Sequence, residues 1–109
     1  MNIVCKTQKM SKIISDEKSI KKTYGNDVGS KLIIRISELR AANNLGDISH
    51  LGPQFLHVLK GKYASCFAVR LNGNFRLIFE AYDCDDKQTT KISNATQVII
   101  REVVDYHGN

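Results

Sequence analysis

An α+β fold is predicted for this chain by three observations. Apolar residues recur at spacings of three and four before residue 42, they alternate from Ser65 onward, and Asn72-Gly73-Asn74 between two alternating runs is hairpin chemistry. A length of 109 residues suffices for one core, so residues 1–109 are read as a single domain.

Residues 2–6 read as a short strand. Ser15, followed by Asp16 and Glu17, has the makings of a helix N-cap with acidic residues in the first turn. That helix is expected to reach Tyr24 and stop at Gly25. A second helix fits from Asn26 or Asp27 to Ala42, with Val28, Leu32, Ile36 and Leu39 as its apolar stripe. Lys31, Arg35, Glu38 and Arg40 fall mostly off the stripe, and Asn43-Asn44-Leu45-Gly46 ends the helix. Two helices joined by so short a turn form an αα-hairpin that needs another surface to cover it.

The strands supply that surface. Phe67, Val69 and Leu71 share one face of the first run; Phe75, Leu77, Phe79 and Ala81 share one face of the second. A two-residue loop would set Arg70 against Phe75 and scramble both faces. A three-residue loop, Asn72-Gly73-Asn74, pairs Leu71 with Phe75, Val69 with Leu77 and Phe67 with Phe79, and requires a left-handed residue at Gly73 or Asn74. The same register sets Arg70 opposite Arg76 on the other face. Two like charges in that position cost up to about 1 kcal/mol unless an anion joins them. Phosphate suits paired guanidinium forks, while neutralisation by Glu80 or by an acidic residue from another strand is the alternative. Tyr82 to Ala95 reads as a long polar loop. Gln97 to Val104 reads as a central strand, with Val98, Ile100 and Val104 on one face and Ile99 and Val103 on the other.

The net charge is +5, and residues 1–62 hold 11 of the 16 Lys/Arg but 5 of the 11 Asp/Glu. That asymmetry suits a nucleic-acid or acidic partner; a solvated helix face explains it equally. Cys5, Cys66 and Cys84 form no CxxC pair and no cluster with histidine, so neither a disulfide framework nor a metal site is expected. No run reaches the roughly 20 apolar residues of a membrane span, and the first residues lack a signal-peptide core. A cytoplasmic protein without cofactor is the expectation.

His57 and Lys60 precede the hairpin, Arg70 and Arg76 lie on it, and Asp105-Tyr106-His107 follows the last strand. Metal-free RNA cleavage needs a base for the ribose 2′-hydroxyl, an acid for the leaving oxygen and cations for charge on phosphorus. Histidine, carboxylate and Lys/Arg are groups of those kinds, and Tyr106 offers a ring for base stacking. Each also has an ordinary structural reading: a core or surface histidine, a solvated Lys60-Gly61-Lys62 turn, a polar tail.

Taken together, LHVLKG, FAVRLNGNFRLIFE and VVDYH closely resemble the HigB-type toxins of toxin–antitoxin modules, within the RelE/ParE superfamily. The resemblance covers residues 55–107. It implies a RelE-like fold, with an N-terminal strand and αα-hairpin packed on an antiparallel-rich sheet. It also implies a ribosome-dependent, metal-independent endoribonuclease that cleaves mRNA during translation, held in check by a helix-turn-helix antitoxin of the HigA type. Carried over by position, His57, Asp105, Tyr106 and His107 match residues important for cleavage, and Lys60, Arg70 and Arg76 match phosphate-holding positions. Phe67 and Phe75 stand where the family often has tryptophan, and the polar loop from Asp83 to Gln97 is longer than in compact members. A ParE-like gyrase inhibitor and a non-catalytic RNA-binding module are the alternatives.

Overall fold

The computed structural model describes residues 1–105. Its chain order is β1 (Asn2–Cys5), α1 (Gln8–Ile13), α2 (Glu17–Ala41), β2 (His57–Val58), β3 (Phe67–Arg70), β4 (Phe75–Tyr82) and β5 (Gln97–Asp105). The architecture is α+β, with a five-stranded mixed sheet in the order β1-β5-β4-β3-β2. Among the described residues only β1, paired with β5, is parallel; the other pairings are antiparallel.

The helical half departs from expectation in two ways. Asp16, not Ser15, caps α2 by accepting a hydrogen bond from the Ser19 amide at 2.7 Å. Residues 8–13, which carry no stripe long enough to read in the sequence, form α1, capped by Thr7. The expected break is present: Gly25 (φ 81°, ψ 172°) interrupts α2 in a conformation that suits only glycine. The interruption folds the helix back. A Cβ placed on Gly29 would stand 3.1 Å from the Cα of Lys21, whereas residues eight apart in a straight helix lie about 12 Å apart. The arms 17–24 and 26–41 therefore lie against each other, and the small side chain at position 29 permits their contact.

Val28, Leu32, Ile36 and Leu39 are buried as their spacing predicts. They join Phe67, Val69, Leu77, Phe79, Val98 and Ile100 in the main core between α2 and the sheet. Phe67 and Phe79 stack there with centroids 5.8 Å apart. Arg35, read as an outward residue, is instead buried at 4% exposure. It sits beside Ile36 at the edge of the stripe, where a guanidinium survives burial because every direction it points meets an acceptor.

The β3–β4 hairpin has the three-residue loop. Phe67 pairs with Phe79, Val69 with Leu77 and Arg70 with Arg76. The Leu71 amide donates to the Phe75 carbonyl at 2.9 Å, and Gly73 supplies the left-handed residue at φ 58°. In β5 a bulge changes the predicted faces. Ile100 pairs with Phe79 but Glu102 with Ile78, leaving Arg101 as the extra residue. Val103 consequently joins the main core with Val98 and Ile100, while Val104 turns to the second face.

That second face is not open throughout. Residues 59–66 cross it, and Leu59, Cys66, Ala68 and Ile78 form a smaller buried cluster under Tyr63 and Val104. The polar loop after β4 is held by its own side chains. Asp83 Oδ1 accepts from the amides of Asp85 and Lys87, and Gln88 bridges back to Tyr82. Among the described residues no helix is long and apolar enough to cross a membrane, and the three cysteines are free thiols.

Candidate nucleic-acid interface

Where the smaller cluster ends, the second face carries Arg70 and Arg76, directly opposed across β3 and β4. His57 joins them from β2. It pairs with Ala68, and a residue opposite Ala68 shares its face, as do Arg70 and Ile78 by alternation. A cavity of about 390 Å³ lies here, and its described lining is His50, Phe55, His57, Arg70 and Arg76. Two guanidinium groups, two imidazoles and a ring thus share one concave surface whose described lining includes no carboxylate.

The histidine chemistry is defined by one contact. His57 Nδ1 lies 2.9 Å from the Phe55 carbonyl oxygen. A carbonyl only accepts, so Nδ1 carries the hydrogen, and in the neutral ring Nε2 keeps the lone pair. That tautomer can take a proton.

Arg70 is held at three points. Its amide donates to the Gln54 carbonyl at 2.8 Å. Its own carbonyl accepts from Arg35 Nε at 2.9 Å. Its guanidinium lies over the Phe55 ring, 5.7 Å from the centroid. Phe55 has φ 49°, rare for an aromatic residue, and its ring packs so closely on Gly52 that a Cβ there would be 3.0 Å from the ring. Arg76 Nη1 donates to the carbonyls of Gly73 and Phe75, each at 3.0 Å, which draws it back along the hairpin end.

Glu80 itself is engaged elsewhere. Its carboxylate is engaged 3.3 Å from Lys6 Nζ and 3.1 Å from Arg101 Nη1, and it accepts from the Tyr82 hydroxyl at 2.7 Å. Burial opposes the charge on Glu80, yet the hydrogen bonds from Tyr82, Lys6 and Arg101 outweigh it and hold the carboxyl below its ordinary range. Nearby, burial raises the Cys66 thiol, and burial together with its hydrogen bond to Glu102 raises the Tyr63 phenol.

Not every residue singled out in the sequence comes to the cavity. Lys60 is exposed at the start of the Gly61–Tyr63 turn and is not among the lining residues. Asp105 ends β5 opposite Phe75, one step beyond the Arg76–Val104 pair. Tyr106 and His107 lie outside the described residues. Conversely, His50 and Phe55 line the cavity without having been anticipated. They sit in residues 49–56, a segment with no period to read, whose path is set by side-chain and backbone turns such as Ser49 Oγ accepting from Leu51 N at 2.9 Å.

Arg35 organises this segment from behind. Besides Arg70, it donates to Glu38 Oε1 at 2.9 Å and to the Pro53 carbonyl at 3.3 Å; Glu38 in turn accepts from Gln54 Nε2 at 2.9 Å. One buried guanidinium ties α2 to both the Phe55 loop and the end of β3. Among the described residues no three metal-ligating side chains converge. What the arrangement can do is bind an anion between two arginines and exchange a proton at an adjacent imidazole. Comparisons with protein-family models, with curated proteins and with solved structures give no match to this chain.

Proposed function

We propose that this chain is a RelE-like, HigB-type toxin: a metal-independent endoribonuclease that cleaves mRNA on the translating ribosome in the cytoplasm. The observation that carries the reading is the Arg70–Arg76 pair facing one cavity with His57. Two guanidinium forks on one face match the oxygens of a phosphate.

In this scheme the scissile phosphate lies on Arg70 and Arg76. His57 Nε2 removes the 2′-hydroxyl proton, the 2′-oxygen attacks phosphorus, and the bond to the 5′-oxygen breaks as that oxygen is protonated. The products are a 2′,3′-cyclic phosphate and a 5′-hydroxyl. The acid is assigned to His107, and supporting roles to Asp105 and Tyr106, on the sequence resemblance alone. Lys60 contributes to the positive field without touching the phosphate. The implied partner is a helix-turn-helix antitoxin of the HigA type.

Inducible expression with mapping of mRNA 5′ ends tests this reading. New ends that require translation, and that disappear in His57→Ala and in His107→Ala, are expected. Growth arrest that survives both substitutions with gyrase inhibited would assign the chain to the gyrase-directed branch. RNA binding without cleavage on ribosomes would leave a binding module only.

A further inference from the structure

His50 lines the arginine cavity, although it stands outside the stretch that the sequence resemblance covers. Its place is set by hydrogen bonds on both sides. The Ser49 carbonyl accepts from the Leu56 amide, the Leu51 carbonyl accepts from the Phe55 amide, and Ser49 Oγ accepts from the Leu51 amide, each at 2.9 Å. These bonds close residues 49–56 into a compact loop, so His50 and His57 border one space although they are separated along the chain. The two imidazoles are held differently. His57 rises from β2, in the row of the sheet that also carries Arg70, and its Nδ1 is fixed on the Phe55 carbonyl. His50 comes from the loop and is exposed, and its ring makes no hydrogen bond or ion pair with any described residue. One ring is locked with its lone pair at Nε2, whereas the other is free to turn and to present either nitrogen.

Cleavage by the 2′-oxygen needs two proton transfers on opposite sides of phosphorus, because the attacking and leaving oxygens stand in line. One imidazole cannot perform both at once. The strand wall of the cavity supplies one ring and the loop wall supplies the other. Resting on the reading of this cavity as the cleavage site, we propose that His50 is a further catalytic residue, whose imidazolium gives its proton to the leaving 5′-oxygen. The step balances. The 2′-hydroxyl proton passes to His57 Nε2 and the bond from the 2′-oxygen to phosphorus forms. The bond from phosphorus to the 5′-oxygen breaks, and the proton of His50 ends on that oxygen. His50 is left neutral and His57 charged, and exchange with water restores both. The resemblance alone named His107 for this proton; His50 is the donor that the described lining of the cavity holds.

The test replaces the leaving atom. A ribosome-bound mRNA is prepared with one cleavable linkage at the mapped cut position, the neighbouring 2′-hydroxyls being methylated. One version carries the natural 5′-oxygen and the other carries sulfur in its place. A thiolate departs without being protonated, so only the oxygen substrate depends on the acid. Single-turnover rates are measured on the full chain. His50→Ala is expected to slow the oxygen substrate by about 100-fold and to cleave the sulfur substrate within about threefold of the unaltered chain, as loss of a general acid requires. His57→Ala is expected to slow both substrates alike. Circular dichroism checks the fold, and His50→Gln, which keeps a polar side chain of similar size, is expected to show the same split. An oxygen-substrate rate untouched by His50→Ala overturns the proposal. Equal slowing of both substrates overturns it too, by making His50 a positioning residue. Sulfur rescue in His107→Ala in place of His50→Ala overturns it by moving the acid to His107. Each of these outcomes leaves the cleavage reading standing. If the unaltered chain cuts neither substrate, or if His57→Ala cuts both as fast, that reading fails and the proposal with it.

Discussion

Replacing Arg35 by methionine is expected to loosen the candidate site from behind while leaving every lining residue in place. The side chain is 5% exposed and its ion-pair partner Glu38 is 31% exposed. Removing one member of a fully buried pair costs about 3–5 kcal/mol, but Glu38 keeps partial hydration and its bond from Gln54, so the lower end applies. The carbonyls of Arg70 and Pro53 lose a charged donor, at about 1 kcal/mol each, and methionine recovers roughly 1–2 kcal/mol as buried apolar surface. A net loss of about 3–4 kcal/mol follows, read as a lower urea midpoint at unchanged slope. RNA affinity, measured in the cold where the variant is folded, is expected to fall as well, because Pro53 and Arg70 lose the guanidinium that ties both to α2. Arg35→Lys is expected to fail as a rescue, since one ammonium cannot reach three acceptors lying in different directions. A loss below about 1 kcal/mol with unchanged RNA affinity would refute the reasoning, and so would a lysine variant equal to the original.

Two further outcomes follow from the geometry. Arg70→Gln and Arg76→Gln are each expected to weaken single-stranded RNA binding and to lower the slope of log affinity against log salt by roughly 0.7, as loss of one phosphate contact requires; an unchanged slope would remove that arginine from the phosphate. Because the Glu80 carboxyl is held below its ordinary range in the folded chain, the unfolded chain binds its proton first as pH falls. The stabilisation is therefore complete above the unfolded value, about 4.3, and is lost as pH drops through the folded one. Urea midpoints are expected to decline on that acid side, and Glu80→Gln to flatten the decline; an equally steep decline in the variant would locate the acid sensitivity elsewhere.

The parts of this fold that could be read in the sequence are those governed by a period. Val28, Leu32, Ile36 and Leu39 announce a helix because spacings of three and four leave one face apolar, and Gly25 announces its break. The hairpin register follows from parity and the shortness of the loop, since a two-residue loop would set Arg70 against Phe75. What could not be read are features that cancel a period or have none. The bulge at Arg101 reverses the faces of Val103 and Val104, and an inserted residue has no composition of its own. Arg35 resembles any exposed arginine until its three acceptors, drawn from segments 3 to 35 residues away, are seen to meet it. His50 and Phe55 lie in irregular backbone, where only the fold decides what is near.

That distinction bears on why the arginine pair is informative. A sheet with helices on one side has a second side to cover, and here residues 59–66 cover only the part over Ala68 and Ile78. Beyond their edge the next row is Arg70, Arg76 and Val104. Glu80 stands farther along β4, engaged by Lys6 and Arg101 on the neighbouring strands' side. The carboxylate and the arginine pair are thus separated along one face, with the apolar cluster between them. An anion that binds this row in the folded chain and not in the unfolded one raises stability. If phosphate binds there, millimolar inorganic phosphate will raise the thermal midpoint of the unaltered chain and leave Arg70→Gln/Arg76→Gln unmoved. A rise of equal size in both would place the anion elsewhere on this basic chain.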